Sequence, residues 1–306
     1  MLYDHEEDRV LEERRDHGKY VVRVSAWEDE CGAWVGTAGW DGKVVVYWME
    51  RGGGEGYEGL GSPVASVILP TNPETILLVS DPDTGTLYLI VTRRDSTSLY
   101  YYTLPSLPAD TSTSPGHLDL QLAGSQNLAP HSNAWIAFSP SSIALSPTDP
   151  TLLAVATSAV PHMKLIIVRL LFPPLASSSA VEPATQAAQT RMGIARQDRE
   201  DTAILVHCST LAPQTPYSTP QVYWRPDGSG VWVNGDDGVL RGIEAKTGKI
   251  VASLKGGHDP GSKIRSIWAG WVGDEGDREE WVVSGGFDRR LIVWKVAEDS
   301  NAAMNV

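Results

Sequence analysis

Cysteine, phenylalanine and long apolar runs are scarce in this chain. Its 306 residues include two cysteines, Cys31 and Cys208. That is too few for a disulfide framework or a four-cysteine zinc site, and both are expected as reduced thiols. No stretch approaches the roughly 20 apolar residues of a membrane-spanning helix. The greasiest one, residues 163–175, is interrupted by Lys164, Arg169 and two prolines. The first residues are crowded with charge and lack an apolar core, so no secretory leader is expected. Asn-x-Ser/Thr acceptor sites are absent. These absences place the expected location in the cytoplasm and/or nucleus, with no membrane insertion.

Cations are in deficit as well. Against 25 Lys and Arg stand 38 Asp and Glu, a formal charge of −13. Such a surface repels phosphate backbones, so duplex nucleic acid is not an expected direct partner. The first 60 residues are the most acidic part, with 14 acidic and 7 basic residues. Glu28, Asp29 and Glu30 are therefore candidate contacts for other proteins, including basic ones.

What the chain has in excess is glycine, 29 residues, and tryptophan, 11 against three phenylalanines. Helical periodicity is nearly missing. Short runs of Val, Ile, Tyr, Trp and Thr recur between Gly, Pro, Asp and Ser, the pattern of strands and turns. Many strands without intervening helices imply a sandwich, a barrel or a propeller.

One unit repeats. Trp34-Val35-Gly36-Thr37-Ala38-Gly39-Trp40-Asp41-Gly42 leads into Lys43-Val44-Val45-Val46-Tyr47-Trp48. Trp281-Val282-Val283-Ser284-Gly285-Gly286-Phe287-Asp288 leads into Arg289-Arg290-Leu291-Ile292-Val293-Trp294. Two further copies centre on Asp95 and Asp237, and a fifth, around residues 153–168, lacks the turn aspartate. The aspartate can accept nearby backbone N–H groups and fix a hairpin.

These units resemble WD repeats, which build all-β propellers from four-stranded blades. Asp288 to Trp294 is similar to the family's Asp-x5-Trp hairpin, and Gly257-His258 to its Gly-His element. The resemblance implies one domain over residues 1–306, with five recognisable units in a ring of five to seven blades. It also implies a hydrogen-bonded structural set in the last unit made of His258, Ser284, Asp288 and Trp294, with Asp41, Asp95 and Asp237 as further blade positions. Inner strands are expected near residues 20–27, 75–80, 143–147, 220–225 and 263–271. Outer strands are expected near 64–69, 118–122, 203–208 and 249–254, with residues 8–15 supplying the fifth and closing the ring. Residues 173–201, rich in Ser, Ala and Gln, are expected as a flexible insert, disordered or partly helical.

Chemistry-bearing motifs are weak. Residues 54–59 match G-x-G-x-x-G, but no helix pattern follows, and Glu55 and Glu58 would repel a pyrophosphate. Asp81-Pro82-Asp83-Thr84-Gly85 opens like a calcium loop, yet Thr92 stands where a bidentate Glu is needed. The seven histidines show no zinc spacing, and no Gly-x-Ser-x-Gly elbow is present. No catalytic, cofactor-binding or metal-ligating residues are therefore expected. His131, Asn133 and Trp135, beside the least regular unit, are candidate partner contacts, because loops on a rigid scaffold carry binding function. The leading expectation is a non-catalytic interaction scaffold or adaptor subunit of a larger complex. Two alternatives stay open. One is an acidic chaperone or reader of basic proteins such as histone or ribosomal-protein tails; the other is a propeller enzyme with a site in the central channel.

Overall fold

The computed structural model describes residues 2–4, 8–52, 57, 59–106, 118–131, 138–174, 186–274 and 277–295. Strand β1 (Leu2–Asp4) pairs antiparallel with β2 (Arg9–Glu12). The first blade follows as β3 (Val21–Glu28), β4 (Gly32–Gly39), β5 (Lys43–Glu50) and β6 (Pro63–Ile68), an antiparallel meander. The second begins with β7 (Pro73–Ser80), β8 (Leu87–Arg93) and β9 (Ser98–Thr103). The expected outer strand at 118–122 is divided. Its first part, β10 (Leu118–Asp119), runs parallel to β6, and β11 (Gln121–Asn127) completes the second blade against β9.

The third blade is regular although its sequence unit is decayed. It comprises β12 (Pro140–Leu145), β13 (Leu152–Thr157), β14 (His162–Arg169) and, after helix α1 (Gln186–Ala203), β15 (Ile204–Pro213). The fourth comprises β16 (Val222–Trp224), β17 (Gly230–Val233), β18 (Leu240–Glu244) and β19 (Ile250–Leu254). The last sheet has three strands, β20 (Ile264–Val272), β21 (Glu279–Gly286) and β22 (Leu291–Lys295).

The segment expected to close the ring is placed elsewhere. Residues 9–12 pair with β1 instead of β22. Side chains on and after β2 tie this segment to the first blade. The Leu60 N–H donates to Glu12 (2.7 Å), and the Tyr47 hydroxyl donates to Asp16 (2.9 Å). Burial and the adjacent Asp16 raise the Tyr47 phenol above its ordinary range.

The chain divides into two compact units, Met1–Pro140 with Leu171–Asp201, and Ser141–Leu170 with Thr202–Val306. In each unit the core lies between consecutive blades. In the first, Trp34, Val44 and Val46 pack with Ile76, Leu89 and Val91. In the second, Met163, Leu165 and Ile167 meet Val222, Trp224 and Val231, and Trp232 meets Ile264 and Val282. The alternation of β-branched and aromatic residues along the strands produces these faces.

The insert carries order of its own. Residues 186–203 are helical, consistent with their Gln, Ala and Arg content. The helix docks on the outer edge of β11 through polar groups. Arg196 donates to the Ser125 carbonyl (2.8 Å) and hydroxyl (2.9 Å). Buried Glu200 accepts from the Asn127 N–H (3.1 Å) and from Arg196 (3.0 Å). Most other helix side chains from residue 189 onward face solvent. Arg196 and Glu200 supply these contacts. Glu200→Ala should lower amide-exchange protection across 189–200 by about tenfold while leaving the strands of the second blade protected. Hydrogen-exchange mass spectrometry reads both, and unchanged helix protection would show that Glu200 does not hold it.

Among the described residues no helix is long and apolar enough to cross a membrane.

Candidate functional site

Two blades carry a buried polar set. In the last blade the His258 Nδ1 lies 3.0 Å from Asp288 Oδ2, and its Nε2 lies 2.8 Å from Ser284 Oγ. The Trp294 indole N–H donates to the same hydroxyl at 2.9 Å. The Asp288 carboxylate also accepts the N–H groups of Asp259 (3.0 Å) and Arg290 (3.2 Å). All four residues named from the sequence thus meet in one network. Asp288 fixes the β21–β22 turn, His258 ties the incoming loop to it, and Ser284 links both to β22 through Trp294.

The first blade repeats the arrangement with other partners. His17 Nδ1 is 3.1 Å from Asp41, and Nε2 is 2.9 Å from Thr37 Oγ1. Asp41 accepts the N–H groups of Gly18 (2.8 Å) and Lys43 (3.1 Å). The order is inverted here, His17-Gly18 against Gly257-His258, yet the histidine takes the same place. Glycine is required beneath both rings. A Cβ on Gly286 would sit 2.8 Å from His258 Nδ1, and one on Gly39 would collide with His17.

Asp95 and Asp237 do not belong to such sets. Asp237 accepts the Val239 N–H (3.3 Å) and pairs with Arg241 (2.6 Å). Asp95 takes a left-handed conformation (φ 61°), and its N–H donates to Ser139 Oγ. No histidine is placed on either among the described residues. The aspartate marks a turn in every case, but the network forms only where an aromatic precedes it and a histidine arrives on the preceding loop.

Ser284, His258 and Asp288 have the connectivity of a hydrolytic triad. Access separates them from one. Ser284 is 1% exposed and His258 3%, and the hydroxyl already receives the Trp294 N–H. A substrate carbonyl has no approach to that oxygen.

Burial, the largest influence on Asp288, raises its carboxyl pKa. The N–H of Asp259, the His258 ring and the N–H of Arg290 outweigh it, and the net shift is downward. Asp41 behaves alike, with burial opposed by His17 and by the N–H groups of Gly18 and Lys43. A carboxyl depressed by folding stabilises the native state fully above its unfolded pKa, near 3.9. That contribution fades as pH falls through the folded value. Tm should hold between neutral pH and about pH 5 and fall below about pH 4. Asp288→Asn should start lower at neutral pH and fall less steeply in acid, as read by thermal melts across pH. Parallel curves would contradict the assignment.

A second buried network joins the fourth and last blades. Arg225 forms a bidentate pair with Glu280 (3.0 and 2.6 Å), and the Trp232 indole N–H donates to Glu280 at 3.0 Å. Glu280 is 4% exposed. Nothing in the repeat pattern singles it out.

The candidate partner contacts disperse. Asn133 and Trp135 lie outside the described residues. His131 is exposed, with Nε2 3.8 Å from Asp201. Asp29 is engaged in its own turn, accepting the N–H groups of Cys31 (2.8 Å) and Gly32 (3.0 Å). Glu28 pairs with Arg51, and Glu30 is exposed. The glycine-rich stretch at 54–59 falls almost wholly outside the described residues. Asp81 organises a hairpin turn, accepting Thr84 Oγ1 (2.7 Å) and the Asp83 N–H (3.0 Å). No cluster of three metal-ligating side chains occurs among the described residues.

The tryptophans divide. Trp34, Trp224 and Trp232 are buried, as expected for blade packing, but Trp40, Trp268 and Trp271 are exposed. Trp40 lies in the β4–β5 turn, and Trp268 and Trp271 lie on β20, an exposure that apolar content alone does not reveal.

No curated protein matches the chain. Among solved structures, the Cps50 (Swd1) beta-propeller domain of Myceliophteria thermophila is similar in fold. It shares 12% identity, with a TM-score of 0.52, over 96% of this chain and 75% of that one. The family model described as "UCP007778, beta-propeller domain" matches residues 8–295. The chain belongs to that beta-propeller family.

Proposed function

We propose that this chain is a non-catalytic protein-interaction scaffold. The observation that carries the reading is the fate of its polar constellations. The His-Ser-Asp and His-Thr-Asp sets and the Arg225–Glu280 pair are consumed in holding blades, whereas the solvent-facing turns carry large aromatics. Tyr20, Trp40 and Phe287 are 78%, 46% and 61% exposed. Exposed Tyr and Trp on rigid turns are the residue types that dominate binding energy at protein interfaces.

The reading is tested by affinity purification of the tagged full chain from its source cells after mild cross-linking. Stoichiometric recovery of one or more defined proteins is the expected result. A chain that runs as a free monomer with no cross-linked partner overturns it.

A further inference from the structure

The outermost strand of a sheet offers a row of N–H and C=O groups on which another chain can pair. Two of the blades defend that edge within the strand or beside it. β10 pairs with β6, and β19 has five residues, set between Lys249 and Lys255. β11 has neither device. Its seven residues, Gln121–Asn127, hold no charge and no proline, and Leu122 is 55% exposed. A register irregularity between Leu122 and Gly124 interrupts its first half, so the regular stretch is 124–127.

Helix α1 lies against that stretch. Alternate residues of an antiparallel strand turn their N–H and C=O groups to the same side. Gln126 and Leu128 turn theirs to β9 and the loop before it, so Ser125 and Asn127 turn theirs outward, where the helix meets them. The Ser125 carbonyl accepts from Arg196, and the Asn127 N–H donates to Glu200. One ion pair at i,i+4 spacing thus supplies the donor and the acceptor that a neighbouring strand would supply. Apolar burial adds little to the hold. The two large apolar side chains of the helix, Met192 and Ile194, are 61% and 52% exposed. A cavity of about 190 Å³ lies between helix and strand, lined by Gly124, Phe172, Pro173, Arg196 and Arg199 among others.

The two groups that the helix occupies are complementary to themselves. About a two-fold axis at Gln126, the Asn127 N–H of each copy meets the Ser125 carbonyl of the other, the exchange that antiparallel strands make. No charge on β11 opposes the approach of its own copy. We infer that α1 is a strap that keeps β11 from pairing with β11 of a second copy of this chain, and that letting go of Arg196 and Glu200 opens the edge to it. A helix held by a few polar contacts opens at far lower free energy than the blades beneath it, so the strap can lift while the propeller stays folded. The inference does not depend on the scaffold reading.

The test compares the full wild-type chain with the double variant Arg196→Ala, Glu200→Ala, by gel filtration with light scattering and by hydrogen exchange. The wild type should have the mass of one chain. The double variant should lose protection along α1 and show twice that mass. Adding Ser125→Pro puts a ring on the outward side of β11 and spares the bonds to β9, and should return the mass to that of one chain. Should the double variant fail to melt cooperatively, Arg196→Ala alone carries the test, because that side chain is 58% exposed. It should dimerise in part, and Ser125→Pro should abolish the dimer again. A single-chain mass despite lost helix protection, helix protection retained in the double variant, a dimer that survives Ser125→Pro, or a wild-type chain that is already dimeric overturns the inference.

Discussion

Glu280→Ala is expected to lower the unfolding free energy by about 3–5 kcal/mol, the usual cost of removing one member of a buried ion pair. The carboxylate is the common acceptor for Arg225 and for the Trp232 indole. Its loss leaves a half-buried guanidinium without its bidentate acceptor and a fully buried indole N–H without a partner, and the desolvation of the N–H then goes uncompensated. Glu280→Gln keeps an acceptor for Trp232 and should cost less than the alanine change. Urea unfolding followed by tryptophan fluorescence measures both, because Trp232 itself reports on the site. A loss below about 1 kcal/mol would place the pair in the class of solvated surface bridges.

His258→Ala should follow closely, at about 2–4 kcal/mol. The imidazole is the single link between Ser284 and Asp288, and it pins the loop entering the last blade. Without it the Trp294 N–H still reaches Ser284, but the serine hydroxyl loses its acceptor. His17→Ala in the first blade should cost less. There Thr37 retains the Val45 carbonyl (3.4 Å), and Tyr47, at the position that corresponds to Trp294, bonds Asp16 instead. Thermal melts of the two variants side by side give the order, and a larger loss for His17 would overturn it.

Local chemistry made much of this legible in the sequence. An aspartate that organises its own turn acts over two or three residues, so Asp41, Asp237 and Asp288 announce their hairpins. The strands between them follow from the period-2 pattern. Partners that lie far apart in sequence leave no such mark. Arg225 and Glu280 are separated by 55 residues, and Glu280 reads as one more charge in an acidic stretch. The partner of the N-terminal strand was also hidden. Residues 8–15 have the composition of a closing strand, but Glu12 and Asp16 find acceptor roles on the first blade, and side-chain bonds of that reach decide pairing. Trp40 illustrates a third limit. Its sequence context is that of a packed aromatic, and only the turn that aims it outward distinguishes an exposed ring from a piece of core.

The path of the chain through the insert has a consequence for how the protein can be divided. After β14 it leaves the third blade, and Phe172 packs beside Tyr88 and Tyr101 of the second, with ring centroids 5.9 and 6.1 Å apart. It supplies Pro173 to the Tyr88 hydroxyl and the Leu171 N–H to Gln126, forms α1, and only then returns as β15. The two units therefore interleave along the sequence, with three crossings between them. A single cut after Pro140 yields no pair of self-sufficient halves. The N-terminal fragment would lack the residues that saturate Tyr88, Gln126 and Asn127, and the C-terminal one would carry them with nothing to saturate. Synthesis from the N-terminus thus leaves the second blade incomplete until residue 200 has emerged, by which point β12 to β14 already exist.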